Sequence, residues 1–142
     1  MSTPVVKKQD VKKNWYVIDA ADKVLGRLAA EVARILSGKK KPAYVDYMDI
    51  GDYVVIINAD KVKMTGKKWD AKIYYRHSGY PGGLTETVAK DMLIKHPCRV
   101  IENAVKGMLP KNKLRALRMK KMRVYAGAEH PHTAQQPEKI EF

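Results

Sequence analysis

The chain has 142 residues, 45% of them apolar, which fits one domain with its own hydrophobic core and excludes a disordered tail protein. Its formal net charge of +13 favours an anionic partner, nucleic acid before an acidic membrane surface. The single cysteine, Cys98, excludes an internal disulfide, and no apolar run approaches the roughly 18–20 residues that span a bilayer. Residues 1–15 lack the apolar core of a secretory signal, so we expect a cytoplasmic protein.

The beginning of the chain predicts a basic arm followed by a β-α unit. Residues 1–13 are polar and lysine-rich and predict a loose N-terminal arm. The β-branched run Trp15–Asp19 predicts a buried strand. Apolar residues recur at helical spacing over 25–36, in a helix that Asp22 would cap and Gly38 would end.

A lysine triplet and a strongly apolar strand come next. Lys39–Lys41 follow the predicted helix, where cations would favour the negative end of its dipole or contact phosphate, and both interpretations stay open. The run Tyr53–Ala59 is apolar on both faces, as a central parallel strand is. With the first strand and helix it predicts a right-handed β-α-β unit.

Alternation over 61–65 and 72–76 predicts a hairpin that turns near Gly66 and carries a basic tip. The tip would include Lys67 and Lys68, and the neighbouring Tyr74 and Tyr75 would suit RNA, which is bound through phosphates and stacked bases. Core packing of one of these tyrosines is the alternative.

The second half of the chain predicts two helices, a short strand and a tail. Residues 77–83 form a glycine-rich loop, and Thr85 would start a helix that ends near residue 94. Pro97 suits the first turn of the next helix, whose buried stripe would be Cys98, Ile101, Ala104, Val105 and Met108. Residues 123–126 predict a last strand, and residues 128–142 an extended C-terminal tail, so that 14–127 form a single α/β domain.

The densest charge lies at 111–123, in a predicted basic helical segment. No acid occurs between Glu102 and Glu129, and eight cations in that interval carry +8 of the net +13. At helical spacing, residues 113–124 place basic side chains in every sector and give no coherent apolar face, which argues against a membrane-surface helix. A solvated helix is the alternative, but exposed helices usually mix charge signs.

The sequence offers little for catalysis, metal binding or nucleotide binding. No G-x-G-x-x-G follows the first strand, and residues 79–83 lack the G-K-[ST] ending of a P-loop. His130 and His132 have no further local ligand motif, and Cys98 falls on an apolar stripe as a buried thiol would. We therefore expect no enzyme, no cofactor, no metal and no small-molecule substrate.

Several motifs in order resemble one known family over nearly the whole chain. They are WYVIDA at 15–20, LGRLA at 25–29, GDYVVIINA at 51–59, MTGK at 64–67, YYRHSGYPGG at 74–83, VIENAVKGMLP at 100–110, VYAG at 124–127, EHPH at 129–132 and AQQP at 134–137. On these motifs the chain resembles the bacterial L13 family of large-subunit ribosomal proteins. One departure is the segment 112–116, which lacks a glycine that family members commonly have, and there we expect a local difference.

The resemblance implies a three-layer α/β/α sandwich around a small, mainly parallel sheet. It also implies a structural role in the large ribosomal subunit, binding to large-subunit rRNA and neighbouring ribosomal proteins, and action early in subunit assembly. A regulatory RNA-binding protein outside the ribosome and a phosphate- or nucleotide-dependent α/β enzyme are the alternatives. The candidate rRNA-binding residues are Lys39, Lys40, Lys41, Lys67, Lys68, Arg76, His77, Lys106, Lys111, Lys113, Arg115, Arg118, Lys120, Lys121 and Arg123.

Overall fold

The computed structural model describes residues 5–142 as a mixed arrangement of strands and helices. In chain order the elements are β1 (Trp15–Asp19), α1 (Leu25–Ser37), β2 (Tyr53–Ile57), α2 (Lys68–Ala71), β3 (Ile73–His77), β4 (Leu84–Val88), α3 (Ala89–Lys95), α4 (Pro97–Met108), α5 (Leu114–Lys120), β5 (Met122–Val124) and β6 (Glu138–Lys139). Short 3₁₀ turns lie at Lys8–Asp10, Ala59–Lys61 and Thr133–Gln135. Residues 1–4 of the predicted N-terminal arm lie outside the described residues.

The central sheet has four strands in the order β5-β2-β1-β6, and every neighbouring pair is parallel. β1 and β2 pair along their full length, from Trp15 opposite Tyr53 to Asp19 opposite Ile57. The α/β class with a mainly parallel sheet is therefore confirmed. The segment 128–142 reaches the sheet through β6, which pairs with Tyr16 and Val17 of β1.

The two faces of the sheet are packed differently. On one face Ile18, Val54 and Ile56 are fully buried in the same apolar core as the inner sides of α1 and α4. On the other face the indole of Trp15 stacks on the Tyr53 ring, with centroids 4.4 Å apart, because the two residues are register partners. The imidazole of His132 lies 5.3 Å from the indole, so residues after β5 reach this second face.

The helix α1 ends as predicted and starts differently. Gly38 is left-handed with φ +84°, and its N–H donates to the carbonyls of Arg34 and Ile35. The expectation that Asp22 caps the helix is wrong, because Val24 is the N-cap residue and makes no side-chain cap. The Leu25 N–H instead donates to the Lys63 carbonyl at 2.9 Å. This backbone hydrogen bond satisfies one of the first N–H groups of the helix, which have no partner within it.

The predicted hairpin lies in the wrong place. Residues 61–65 do not pair with 72–76; β3 pairs antiparallel with β4, from Ile73 opposite Val88 to His77 opposite Leu84. The loop 78–83 closes this hairpin, because Gly79 and Gly82 supply the positive φ values that its turn needs. Residues 84–88 are therefore a strand, and the helix expected from Thr85 starts only at Ala89.

The helix α4 agrees with the sequence pattern. Pro97 occupies its first turn, and Ile101 and Val105 are fully buried against the core. Met108, which the pattern also places on the buried stripe, lies at the end of the helix and is 46% exposed.

Gly51 is required by a close approach between backbones, which gives a test of the packing. A Cβ atom there would lie 1.7 Å from the carbonyl oxygen of Leu36, a backbone atom that cannot move without displacing the end of α1. We expect Gly51→Ala to lower the free energy of unfolding by about 2 kcal/mol or more. Urea denaturation followed by circular dichroism measures the change.

The matched control is Gly107→Ala. Gly107 is also a glycine of normal φ, it lies within α4, and no atom comes within 4 Å of its Cβ position. This change should raise the stability by about 0.5–1 kcal/mol, because alanine favours a helix. Equal effects at the two positions would contradict the packing argument.

Candidate nucleic-acid interface

The basic side chains divide into an inward-facing group and an outward-facing group. Arg118 and Lys121 are 1% and 5% exposed, and the Lys41 side chain is 22% exposed. Lys41 and Lys121 form hydrogen bonds inside the protein, and Arg118 is buried. Most of the other candidates are exposed. Charge density along the chain does not reveal this division.

Lys121 is bound within the protein. Its Nζ donates to Asp49 Oδ1 at 2.5 Å and to the Gly51 carbonyl at 2.8 Å. Burial lowers the pKa of Lys121, while the hydrogen bond and the charge of Asp49 act in the opposite direction. The contact joins the end of α5 to the segment that leads into β2.

Lys41 makes a second internal connection in the same region. Its Nζ donates to Asp52 Oδ1 at 2.6 Å, to the Ile50 carbonyl at 3.1 Å and to the Lys12 carbonyl at 2.6 Å. Asp52 Oδ1 also accepts from the backbone N–H of Asn14 at 2.8 Å. We call Lys41, Asp49, Asp52 and Lys121 the lysine cluster. It ties the segment before β1, the segment after α1 and the end of α5 to the start of β2.

The basic helix has a buried side although it lacks a coherent apolar face. α5 spans Leu114–Lys120, and its inner side carries Leu114 and Arg118, with Lys121 one turn further on. This side can be cationic because the long aliphatic stems pack like apolar side chains, while the Lys121 ammonium group binds Asp49 in the segment that leads into β2. Arg118 Nε is buried and has no hydrogen-bond partner among residues 5–142.

The lysine triplet after α1 divides in the same way. Lys40 pairs with Glu31 at 2.9 Å, and this hydrogen bond is the main cause of the lowered pKa of the Glu31 carboxyl. Lys39 is exposed. Only part of the triplet therefore faces solvent as a free phosphate ligand would.

Six of the basic side chains line two grooves on either side of α4. The first, which we call the hairpin groove, has a volume of about 730 Å³ and lies between the β3–β4 hairpin, α3 and α4. Four cations line it: Arg76, Lys95, Arg99 and Lys106.

The second groove, which we call the α4–α5 groove, has a volume of about 530 Å³ and is lined by Lys106, Lys113 and Arg115. The two grooves share Lys106, so they meet on the outer side of α4.

Charge in the two grooves is strongly unbalanced. Together they present six Lys and Arg side chains and one acid, Glu102. Within residues 5–142, none of the six forms an ion pair. Tyr74 and Tyr75 lie in the hairpin groove beside these cations, and Tyr75 is 64% exposed. Burial raises the pKa of the Tyr74 phenol.

Sequence reasoning missed Lys95, Arg99 and Asn103 as groove residues. A signal was present, since Arg99, Asn103 and Lys106 recur at i, i+4 and i+7 on α4. This is the helix side opposite the predicted apolar stripe. Lys95 could not be found in the same way, because the helix that carries it was predicted to start at Thr85 and to end near residue 94, before this lysine.

The other candidates lie outside the two grooves. Lys67 and Lys68 are at the start of α2 and not at a hairpin tip. His77 ends β3, where its Nδ1 accepts from the Gly79 N–H at 2.9 Å. The remaining exposed candidates follow α4 in the chain: Lys111 lies between α4 and α5, Lys120 is the last residue of α5, and Arg123 lies in β5.

The two histidines considered as metal ligands, His130 and His132, form hydrogen bonds within the protein. His132 Nε2 lies 2.8 Å from the Tyr125 hydroxyl, and the backbone N–H of His132 donates to His130 Nδ1 at 3.2 Å. Across residues 5–142, no three His, Cys, Asp or Glu residues are grouped as metal ligands would be. None of the helices in this range combines the length and apolar character needed to cross a membrane.

The lysine cluster predicts unequal effects for two adjacent lysines. Lys121→Met removes the partner of the Asp49 carboxylate and of the buried Gly51 carbonyl, so we expect a loss of about 2–3 kcal/mol of unfolding free energy. Lys120→Met deletes the same charge from an exposed position and should change stability by less than about 0.5 kcal/mol. Chemical denaturation of the two variants checks the difference, and similar losses would show that Lys121 has no special role.

Comparisons with known proteins identify the family of this chain. Residues 13–131 match the family described as Ribosomal protein L13. The chain is 59% identical, over 96% of both chains, to the large ribosomal subunit protein uL13 of Syntrophotalea carbinolica. It is 57% identical to the proteins of that name from Thermotoga maritima, over 99% of this chain and 94% of the relative, and from Laribacter hongkongensis, over the full length of both. The chain belongs to the ribosomal protein L13 family.

Proposed function

We propose that this chain is a structural, non-enzymatic constituent of the large ribosomal subunit that binds large-subunit rRNA. The observation that carries the proposal is the surface around α4, where six cations line two grooves that contain one acid. A polyanion fits such a surface because it supplies the missing negative charge. The name of the relatives, large ribosomal subunit protein, favours rRNA as that polyanion.

The grooves act mainly on the RNA backbone. Lys and Arg side chains neutralise phosphates, and the counterions that leave the RNA make binding favourable and dependent on salt. The exposed ring of Tyr75 adds a surface on which an unpaired base stacks. Specificity then comes from the shape of the RNA and from its unpaired regions.

The scaffold fixes these cations before RNA arrives. Arg76 lies on β3, Arg99 and Lys106 on α4, and Arg115 on α5, so regular backbone hydrogen bonds hold their positions. Less conformational freedom is lost on binding when the ligand-binding groups are held in place in advance. A chain with this property is suited to bind rRNA early in subunit assembly, as the family resemblance implies.

The proposed contact residues follow from exposure. The main contacts are the six groove cations: Arg76, Lys95, Arg99, Lys106, Lys113 and Arg115. A second set lies outside the grooves and makes peripheral phosphate contacts: Lys39, Lys40, Lys67, Lys68, His77, Lys111, Lys120 and Arg123. We assign Lys41, Arg118 and Lys121 to the internal framework because they are largely withdrawn from solvent.

Neighbouring ribosomal proteins require a different surface. At the end of the β3–β4 hairpin Tyr80 and Leu84 are 77% and 54% exposed, beside the neutral glycine-rich turn. Exposed apolar side chains of this kind occur where proteins meet. We therefore place protein contacts at the hairpin end and RNA contacts in the grooves.

A double substitution in the grooves tests the proposal. Arg99→Gln with Lys106→Gln removes two phosphate ligands from the surface of α4. We expect weaker binding to large-subunit rRNA and a reduction by about 2 in the slope of log K against log salt concentration. Filter binding at several salt concentrations measures the slope, and sucrose-gradient sedimentation should show the variant leaving large-subunit particles at lower salt than the wild type.

The matched control removes two exposed lysines that line neither groove, Lys8→Gln with Lys61→Gln. Its net charge is the same as that of the groove variant, so equal losses of affinity would show that only total charge matters. Sedimentation of the wild type also separates the alternatives. A regulatory RNA-binding protein or an enzyme would not remain stoichiometric with the large subunit through moderate salt.

A further inference from the structure

A third cavity lies beside the two basic grooves and is unlike them in character. It has a volume of about 490 Å³ and opens between the start of α1, residues 64–72 and α4. Apolar atoms of Met64, Ala104 and Met108 form part of its wall. An apolar cleft of this size with a few polar groups is the usual form of a small-ligand pocket.

The polar groups of this cavity are arranged for a ligand that has both an anionic and a hydrogen-bonding part. Lys68 and Lys72 line it, and none of its lining residues is acidic. Asn103 adds an exposed side-chain amide, with a donor and an acceptor, that makes no hydrogen bond within residues 5–142. Lys72 Nζ lies 5.5 Å from the centre of the Tyr74 ring, which keeps this positive charge at the aromatic side of the cavity.

The cavity is continuous with the surface proposed for rRNA. Tyr74 lines both this cavity and the hairpin groove. Asn103 lines this cavity and both basic grooves. An RNA strand that follows either groove along α4 therefore passes the mouth of the cavity.

We propose that this cavity receives one unpaired base of the bound RNA strand. The base lies against Met64, Ala104 and Met108, its edge meets the Asn103 amide, and its phosphate lies near Lys68 and Lys72. Single-stranded RNA is commonly bound in this way, with bases turned out of the stack and placed against apolar or aromatic side chains. The proposal rests on the proposed function and adds a base-binding site to it.

An apolar side chain of a neighbouring protein fits the cavity less well. It would cover Asn103 and bring no hydrogen-bonding group to the amide, and it would bring no negative charge to Lys68 and Lys72. Covering polar groups without a partner is unfavourable. A nucleotide supplies an apolar face, a hydrogen-bonding edge and a negative charge in one unit.

Gly26 provides a way to fill the cavity without damaging the fold. It lines the cavity from the first turn of α1, it has no positive φ, and no atom lies within 4 Å of its Cβ position. Gly26→Leu therefore introduces a side chain at the cavity wall without a clash, and leucine is the better helix former. Ala30→Leu, at an exposed position one turn further along α1 that does not line this cavity, is the matched control.

Footprinting of the full chain on a transcript of the large-subunit rRNA tests the proposal. Hydroxyl radicals report backbone contacts, and dimethyl sulfate with a carbodiimide reports the edges of unpaired bases. We expect the wild type and Ala30→Leu to protect the same backbone positions and at least one base edge. Gly26→Leu should keep the backbone protection, lose that base protection, and bind about tenfold more weakly, as expected for one lost stacking contact.

Two further measurements make the result decisive. The melting temperature of Gly26→Leu should equal or exceed that of the wild type. Asn103→Ala, a substitution at an exposed position, tests the same site independently and should weaken the same base protection. Backbone protection with identical base protection in wild type, Gly26→Leu and Asn103→Ala would overturn the base-binding site and leave the proposed function intact. Absence of backbone protection by the wild type would overturn both.

Discussion

The structure depends on a small set of buried charges at the start of β2. Lys41 reaches Asp52 from the segment after α1, Lys121 reaches Asp49 from the end of α5, and both also donate to backbone carbonyls there. A buried ammonium group is tolerated only when its hydrogen bonds and its charge are matched, so each contact specifies one position of the neighbouring segment. Gly51 lies between the two acids and allows that segment to pass against the end of α1. The orientation of α5, and with it one wall of the α4–α5 groove, follows from these contacts.

This arrangement explains how a strongly basic chain folds around its own charge. Like charges on one surface repel each other, and a net charge of +13 opposes compaction. The protein lessens that cost by placing some cations against acids, inside the protein in the lysine cluster and at the surface in the pair of Lys40 with Glu31. Six of the other cations lie near one another around α4, where repulsion between them favours a polyanion as the partner.

The sequence predicted those parts of the fold that are determined locally. β1, α1 with its Gly38 end, and the Pro97 start of α4 were correct because each has a strong hydrophobic period or a residue with a fixed backbone preference. The predicted pairing of β3 with residues 61–65 was wrong. Segments with alternating residues precede and follow β3 in the chain, and the local pattern does not decide which of them is its partner. The inward direction of Arg118 and Lys121 was not predictable either. It depends on packing and on Asp49, which is distant in the sequence and adjacent only after folding.

The order of strands has a consequence for synthesis of the chain. The inner strands β1 and β2 are made early, but both outer strands, β5 and β6, come from residues 122–139. A nascent chain thus carries two inner strands with open edges until residues 122–139 have left the peptide tunnel. Products that stop before residue 122 lack both closing strands and are exposed to misassociation and proteolysis. The sheet topology therefore makes closure of the sheet depend on residues 122–139, which must be made before β1 and β2 have neighbours on their outer edges.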